Sequence, residues 1–289
     1  MKYYNSVITR DNLILSCDMV RIVFRFDDYT IKKFNDYVFN LSLKDSKYDY
    51  RVYQSLASFS YRYMLNFKYD DSSFVVGLSF NGCNKESHKS CFIEFNPNKC
   101  LSNNYVSPII EFIKTYGRSL EFARYDFAID IKCKRSFCSL SKDLRDYNKV
   151  YKIEKTSIDI DNVTEYLGHR NKNGFVKLYN KTKESNLDYD LTRLEITLDC
   201  FDYENFIKQL PKVYFVKNMN LFESMYLNDT DRVLLSLLLQ TDNASMYLKM
   251  LGRGKQDKYK KILFDLNSII SITECDYYSV VRNIKQIIA

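Results

Sequence analysis

Glycine and proline are scarce in this chain of 289 residues, at 7 and 3, there is no tryptophan, and histidine occurs only 2 times. With so little glycine, neither phosphate-cradling loop is present: G-x-x-x-x-G-K-[ST] and G-x-G-x-x-G are both missing. Nucleotide-driven work must therefore come from a partner with its own ATPase. His88 and His169 lie far apart, which excludes H-E-x-x-H and any His-hydrophobic-His metal pair. No apolar run approaches the roughly 18 residues of a membrane span; the longest candidate, Val233 to Leu239, is far shorter. The opening MKYYNSVITRDN lacks the apolar core of a signal peptide. Together these absences lead us to expect a soluble, cytoplasmic protein with no membrane partner. Of the 8 cysteines none forms a C-x-x-C pair, and Cys83, Cys91 and Cys100 are too unevenly spaced for a zinc site. They read as reduced thiols in or near the core.

What is present points to an ordinary globular chain. Hydrophobic residues make up 46% and charged residues 27%, which excludes disorder, collagen and coiled-coil arrays. Lys plus Arg is 43 and Asp plus Glu 36, a net charge of +7.

Period-2 alternation dominates the first two-thirds. Strands are predicted at Val20–Asp27, Phe59–Phe67, Ser73–Phe80 and Ser90–Phe95, with helices at Thr30–Leu41 and Ser107–Tyr116. A second block repeats the order: strand Phe122–Ile131, helix Leu140–Tyr147, then strands Val150–Thr156, Val163–Leu167, Gly174–Asn180 and Asp190–Leu198. The block starts can be laid together, Arg21 to Asp27 beside Arg124 to Asp130, which leaves duplication as one reading of the pattern. The expected fold class is α+β, a broad and mostly antiparallel sheet flanked by helices. After Cys200 helical patterns take over, at 201–210, 219–227, 230–240, 243–251, 257–269 and 276–288. This gives a sheet-rich domain over 1–200 and a helical subdomain over 201–289.

Three strand motifs could carry chemistry. In Arg124-x-Asp126-x-Ala128-x-Asp130 every second side chain shares a face. That face is either a solvated one, with Arg124 pairing a carboxylate, or a site for a hard cation, Mg²⁺ or Mn²⁺, that relieves repulsion between Asp126 and Asp130. In Phe175-Val-Lys-Leu-Tyr-Asn-Lys181, after the Asn173-Gly174 turn, Tyr179 alternates with Lys177 and Lys181. Those cations would favour a phenolate and attract phosphate; the alternative is a half-buried packing tyrosine, one of 25. In Thr192-Arg-Leu-Glu-Ile-Thr-Leu198, Arg193 and Glu195 share a face opposite Leu194 and Ile196, as a surface pair or as a further carboxylate and cation for the same site. A fourth stretch, Lys249 to Lys261, holds Arg253, Lys255, Lys258, Lys260 and Lys261 around Tyr259. It suits either phosphate-backbone contact or a solvated helix face.

Taken together and in this order, RYDFAID, YLGHRNKNGFVKLYNK and TRLEITL resemble the Rep_trans family of replication initiation factors, which includes rolling-circle initiators and MobT relaxases. CFIEFNPNK (Cys91–Lys99) and MLGRGKQDKYK (Met250–Lys260) also look like family segments. The resemblance implies sequence-specific, metal-dependent nicking and joining at a DNA origin through a 5′-phosphotyrosine intermediate. It implies Tyr179 as nucleophile, and Asp126, Asp130 and Glu195 as metal or acid/base carboxylates with Mg²⁺ or Mn²⁺. Arg193, Lys177 and Lys181 become phosphate clamps, and Arg170 a DNA contact in the G-x-R turn. The implied partners are the double-strand origin and its nicked strand, a separate host helicase, and a possible second copy in a homodimer. A non-cutting origin-binding initiator or regulator, a MobT-type relaxase, and a nuclease in which water attacks are the competing readings.

Overall fold

In a computed structural model of the chain, the described residues are 8–10, 13–54, 63–79, 89–101, 103–135, 138–140, 151–155, 163–211, 213–216, 227–240 and 244–287. Two 14-residue strands, β2 (Leu13–Phe26) and β7 (Arg118–Ile131), lie antiparallel at the centre. Outward from β2 run β6 (Lys89–Phe95), β5 (Ser72–Leu78), β4 (Tyr63–Tyr69) and β3 (Tyr50–Gln54). Outward from β7 run β12 (Thr192–Leu198), β11 (Val176–Asn180), β10 (Val163–Leu167) and β9 (Tyr151–Lys155). With β1 (Ile8–Arg10) paired to β2, the sheet has 11 strands, and each pairing within it is antiparallel. The α+β class expected from the alternation is what the chain adopts.

The two flanks have the same topology: a long central strand beside a meander that returns to it. Arg21 and Arg124, the residues that head the two similar segments, stand opposite each other in the β2/β7 register. A pseudo-twofold axis through an antiparallel pair must place equivalent residues opposite each other at the axis, so the duplication reading gains a geometric basis. The core-facing residues agree: Ile22, Phe24 and Phe26 on one strand match Tyr125, Phe127 and Ile129 on the other, and each is at most 1% exposed.

Helices cover the apolar face. On the β2 side, helix α1 (Asp28–Lys44) starts at Asp27, whose carboxylate accepts from the Thr30 N–H, and buries Ile31, Phe34 and Val38. Helix α3 (Ser107–Tyr116), with proline in its first turn, adds Phe112; Phe26, Phe34 and Phe112 form a ring cluster with centroids 5.3–6.1 Å apart. Gly77 on β5 makes room for Phe92, since a Cβ there would fall 2.0 Å from the ring. On the β7 side the cover comes from the far end of the chain. Helix Glu274–Lys285, started by a Thr273/Asp276 capping box, lays Tyr277 against Phe127 and Phe206, and the Tyr125 and Tyr277 hydroxyls meet at 2.6 Å.

The C-terminal third therefore departs from a uniform helical subdomain. Helix α5 (Tyr203–Gln209) and residues 270–287 share the main core through Phe206, Ile270, Tyr277, Val280 and Ile284. Helices Asp229–Gln240, Ala244–Lys249 and Arg253–Leu266 form a second, small core around Leu235, Leu238, Leu248 and Tyr259. The helix expected over 257–269 stops at Leu266 and continues as a strand, β14 (Asn267–Ile269), which joins β13 (Val213–Val216) and β8 (Cys138–Leu140) in a three-stranded sheet. Most of the expected helices at 140–147 and 219–227 lies outside the described residues, and Leu140 itself belongs to β8.

Candidate active site

On the other face of the central strands, polar side chains gather. The β7/β12 register sets Asp130 opposite Arg193, Ala128 opposite Glu195, and Asp126 opposite Thr197; β11 then sets Tyr179 opposite Arg193 and Lys177 opposite Glu195. Asp126 and Glu195 are thus diagonal neighbours, roughly 7–8 Å apart. The expected convergence of RYDFAID, LYNK and RLE on adjoining strands holds.

This face is not solvated. Asp130 is 5%, Arg193 8% and Tyr179 5% exposed. The readings as surface decoration therefore fail. A charge buried to this degree needs a partner, and Arg193 has two. Its Nε and Nη2 donate to both oxygens of Asp130 at 2.5 and 2.7 Å, while Nη1 lies 2.9 Å from Asp18 Oδ1. Burial works against the guanidinium charge, but Asp130 and Asp18 outweigh it and hold its pKa above the ordinary value. Three of its nitrogens are thereby spoken for. Arg193 is placed as a strut between strands, not as the free phosphate clamp that the resemblance implies.

Asp18 is the residue that strand alternation missed. Between Cys17 and Met19 the β2/β7 register shifts by one residue, and Asp18 is the extra one. The bulge brings its carboxylate to Arg193 and near enough to Glu195 for the Asp18 charge to act on it. Asn96 Nδ2 donates to Asp18 Oδ1 at 2.8 Å, and Asn98 Nδ2 donates to the Cys17 carbonyl at 2.7 Å, so the bulge is clamped from the turn that follows β6. The signal is visible in the sequence. Core positions are odd at Leu13, Leu15 and Cys17 but even at Val20, Ile22 and Phe24, and parity cannot switch within a strand unless a residue is inserted.

The Tyr179 hydroxyl donates to Glu195 Oε1 and lies 3.4 Å from Glu184 Oε2. Lys177 Nζ sits 3.8 Å from the centre of the Tyr179 ring and 3.8 Å from Glu195 Oε2; Lys181 Nζ is 6.0 Å from the ring and pairs with Glu184. The lysines were expected to favour a phenolate. Instead burial, and after it the Glu195 charge, raise the Tyr179 phenol above its ordinary value. Burial also lifts Glu195, to about 7, helped by the Asp18 charge and opposed by Lys177. Asp18 goes the other way: burial would raise it, but Arg193 and Lys181 bring it below the usual carboxylate value. Of these two neighbouring carboxylates, Glu195 is therefore the one that takes a proton more readily.

The expected metal set does not converge. Asp130 gives both oxygens to Arg193, and Asp126 accepts from Thr197 Oγ1 at 2.7 Å, with burial raising its pKa. Among the described residues no three carboxylates, thiols or imidazoles gather as a metal site. Asp18 and Glu195 do suit a hard cation, because two meeting carboxylates need a proton or a cation between them, and Mg²⁺ takes one or two carboxylates with water and phosphate oxygens. Arg124 pairs with Glu94 at 3.0 Å, together with Arg21 at 2.6 Å.

The basic residues expected to contact DNA lie elsewhere. Arg170 is exposed in the turn between β10 and β11, and Arg253 and Lys255 are exposed on helix Arg253–Leu266. Lys258 is engaged by Asp231, which also accepts from the Tyr259 hydroxyl, so it braces the small helical core. The side chains of Lys260 and Lys261 lie outside the described residues.

No family model matches the chain, and no curated protein matches it. Among solved structures it is similar to a rolling circle replication initiator protein from Geobacillus stearothermophilus. The two align over 88% of this chain and 96% of that one, at 13% identity and a TM-score of 0.39. No helix among the described residues is long and apolar enough to cross a membrane.

Proposed function

We propose that this chain initiates rolling-circle replication by nicking and rejoining one strand of a DNA origin, with Tyr179 as nucleophile. The observation that carries the reading is the Tyr179 hydroxyl donating to Glu195, a carboxylate lifted to about 7 inside a ring of paired charges. A phenol held above its ordinary pKa attacks phosphorus only if a base removes its proton during the attack. Glu195 titrates close to neutral pH, which is where a general base is most effective. The Tyr179 oxygen bonds to phosphorus, its proton passes to Glu195, and the DNA 3′-oxygen leaves with the bonding pair. The 5′ phosphate stays on Tyr179. One phosphodiester replaces another, so the reverse reaction joins strands without ATP.

Lys177 and Lys181 flank the ring and are the cations available to the phosphate oxygens. Arg193 holds Asp130 and Asp18, and through Asp18 it orients Glu195. A Mg²⁺ or Mn²⁺ ion held by Asp18 and Glu195 would neutralise charge on the phosphate undergoing attack. A helicase from the host follows the nick, because the sequence has no nucleotide-binding loop to drive unwinding. Arg170, Arg253 and Lys255 serve origin binding.

The test is incubation with labelled single-stranded DNA from the protein's own locus plus Mg²⁺ or Mn²⁺, followed by denaturing electrophoresis. A covalent adduct that maps to the peptide bearing Tyr179, and that Tyr179→Phe abolishes while origin binding persists, is the expected result. An adduct on Tyr166 or Tyr189 moves the nucleophile, and none under any metal condition favours an origin-binding protein that does not cut.

A further inference from the structure

Two thiols meet just past the strand that carries Asp130. β7 ends at Ile131, Cys133 lies in the turn that follows, and Cys138 opens β8. Their Sγ atoms are 3.1 Å apart. A disulfide needs about 2.05 Å, so an approach of roughly 1 Å separates contact from bond. The contact is held from both sides. The Cys133 carbonyl accepts from Thr192 Oγ1 at 3.0 Å, and the Cys138 carbonyl accepts from Arg135 Nη1 at 2.6 Å. Arg135 is itself fixed by Glu165 at 2.5 Å and by the Val163 carbonyl at 3.0 Å. Cys133 is half-buried and within reach of a small oxidant, whereas Cys138 is buried.

We propose that Cys133 and Cys138 are a modification site, a dithiol that a peroxide converts to a reversible intramolecular disulfide. The Cys133 thiolate gives an electron pair to one peroxide oxygen, the O–O bond breaks, and hydroxide leaves a sulfenic acid on Cys133. The Cys138 sulfur, losing its proton, then attacks the Cys133 sulfur; the S–O bond breaks and the second oxygen departs as water. Two thiols and one hydrogen peroxide give one disulfide and two waters. Burial raises the Cys138 thiol well above its ordinary value, which fits the order in which the two sulfurs react. A dithiol reductant reverses the change. The new bond would tie β7, through β8, to the three-stranded sheet. The proposal does not depend on the phosphoryl-transfer reading.

The test uses the full reduced chain treated with equimolar hydrogen peroxide. Remaining thiols are then alkylated, the protein is digested without reductant, and peptides are identified by mass spectrometry. The expected result is a cross-linked species containing Cys133 and Cys138, with two of the 8 cysteines lost to alkylation and regained after dithiothreitol. In Cys138→Ser, folded by circular dichroism, Cys133 should stop at sulfenic acid and be trapped by dimedone. If Cys138→Ser does not fold, the wild-type cross-link alone decides. A wild-type protein that keeps both thiols, that traps Cys133 as sulfenic acid to the same extent, or that pairs other cysteines first overturns the proposal.

Discussion

Glu195 titrates in a range where its proton links to stability. Its ordinary value is 4.5 and the folded value about 7, raised first by burial and then by Asp18. The folded state therefore binds this proton more tightly than the unfolded state, so stability falls as pH rises from about 4.5 to 7. At about 1.4 kcal/mol per pH unit the loss above pH 7 is at most about 3 kcal/mol. Asp18, held below its usual value of 3.8, contributes in the opposite sense but in a lower window: its stabilisation is complete above that value and is lost only as pH falls further. In metal-free buffer, Glu195→Gln should raise the urea midpoint at pH 8 and leave it nearly unchanged near pH 3, where Glu195 is protonated in both states. Equal midpoints at pH 8 would show that the carboxylate is not held against its charge. At this scale Asp126, Asp130, Tyr179, Arg193 and Glu195 were all legible, because each sits at a polar position of an alternating strand. Their division of labour was not. Whether Arg193 grips a phosphate or two carboxylates depends on burial and on Asp18, which no local pattern in β12 encodes.

The strands that carry the site were legible as elements, since Phe122–Ile131, Val163–Leu167 and Asp190–Leu198 each alternate cleanly. β1, β3, β8, β13 and β14 were not. Val213–Val216 is a continuous apolar run without a period, and Asn267–Ile269 extends a helical pattern until its pairing with β13 overrides it. The bulge in β2 depends on a different element, the turn that follows β6. Asn98 reaches the Cys17 carbonyl, and Asn96 both holds Asp18 and caps the short helix α2 (Pro97–Cys100) by accepting from Lys99 N–H. This gives the Asn-Pro-Asn-Lys segment a reason to exist: it fixes the inserted residue. Asn98→Ala removes the donor to the Cys17 carbonyl, a part-buried hydrogen bond whose loss costs about 0.5–1.5 kcal/mol. We expect a drop of that size in urea unfolding, together with slower adduct formation because Asp18 drifts from Arg193 and Glu195. If both stability and rate are unchanged, Asn96 and the β7 pairing hold the bulge without Asn98.

Across the whole molecule, the two flanks share a topology but not a chemistry. Laid together without gaps, Asp126 matches Val23, Ala128 matches Arg25 and Asp130 matches Asp27, so the carboxylate face belongs to one flank, with Asp18 lent by the other. Neither flank is thus complete alone, and the apolar face shows the same interdependence. The sequence suggested a boundary at Cys200, because alternation gives way to helical periods there, yet periodicity cannot say which core a helix serves. Phe206, Ile270, Tyr277, Val280, Val281 and Ile284 lie beyond that boundary and are all at most 5% exposed in the main core. Burial of each such side chain contributes about 1.5–3 kcal/mol, so the set as a whole rivals the roughly 5–15 kcal/mol by which a domain is stable. A chain ending at Cys200 keeps Tyr179, Arg193, Glu195 and the strands that hold them, but it uncovers Tyr125 and Phe127. It should bind an apolar dye, lose near-ultraviolet circular dichroism and show no cooperative urea transition, and it should form no DNA adduct. A cooperative transition with native near-ultraviolet signal in that shortened chain would mean that the terminal helix is an accessory cover, and that the sheet carries its own stability.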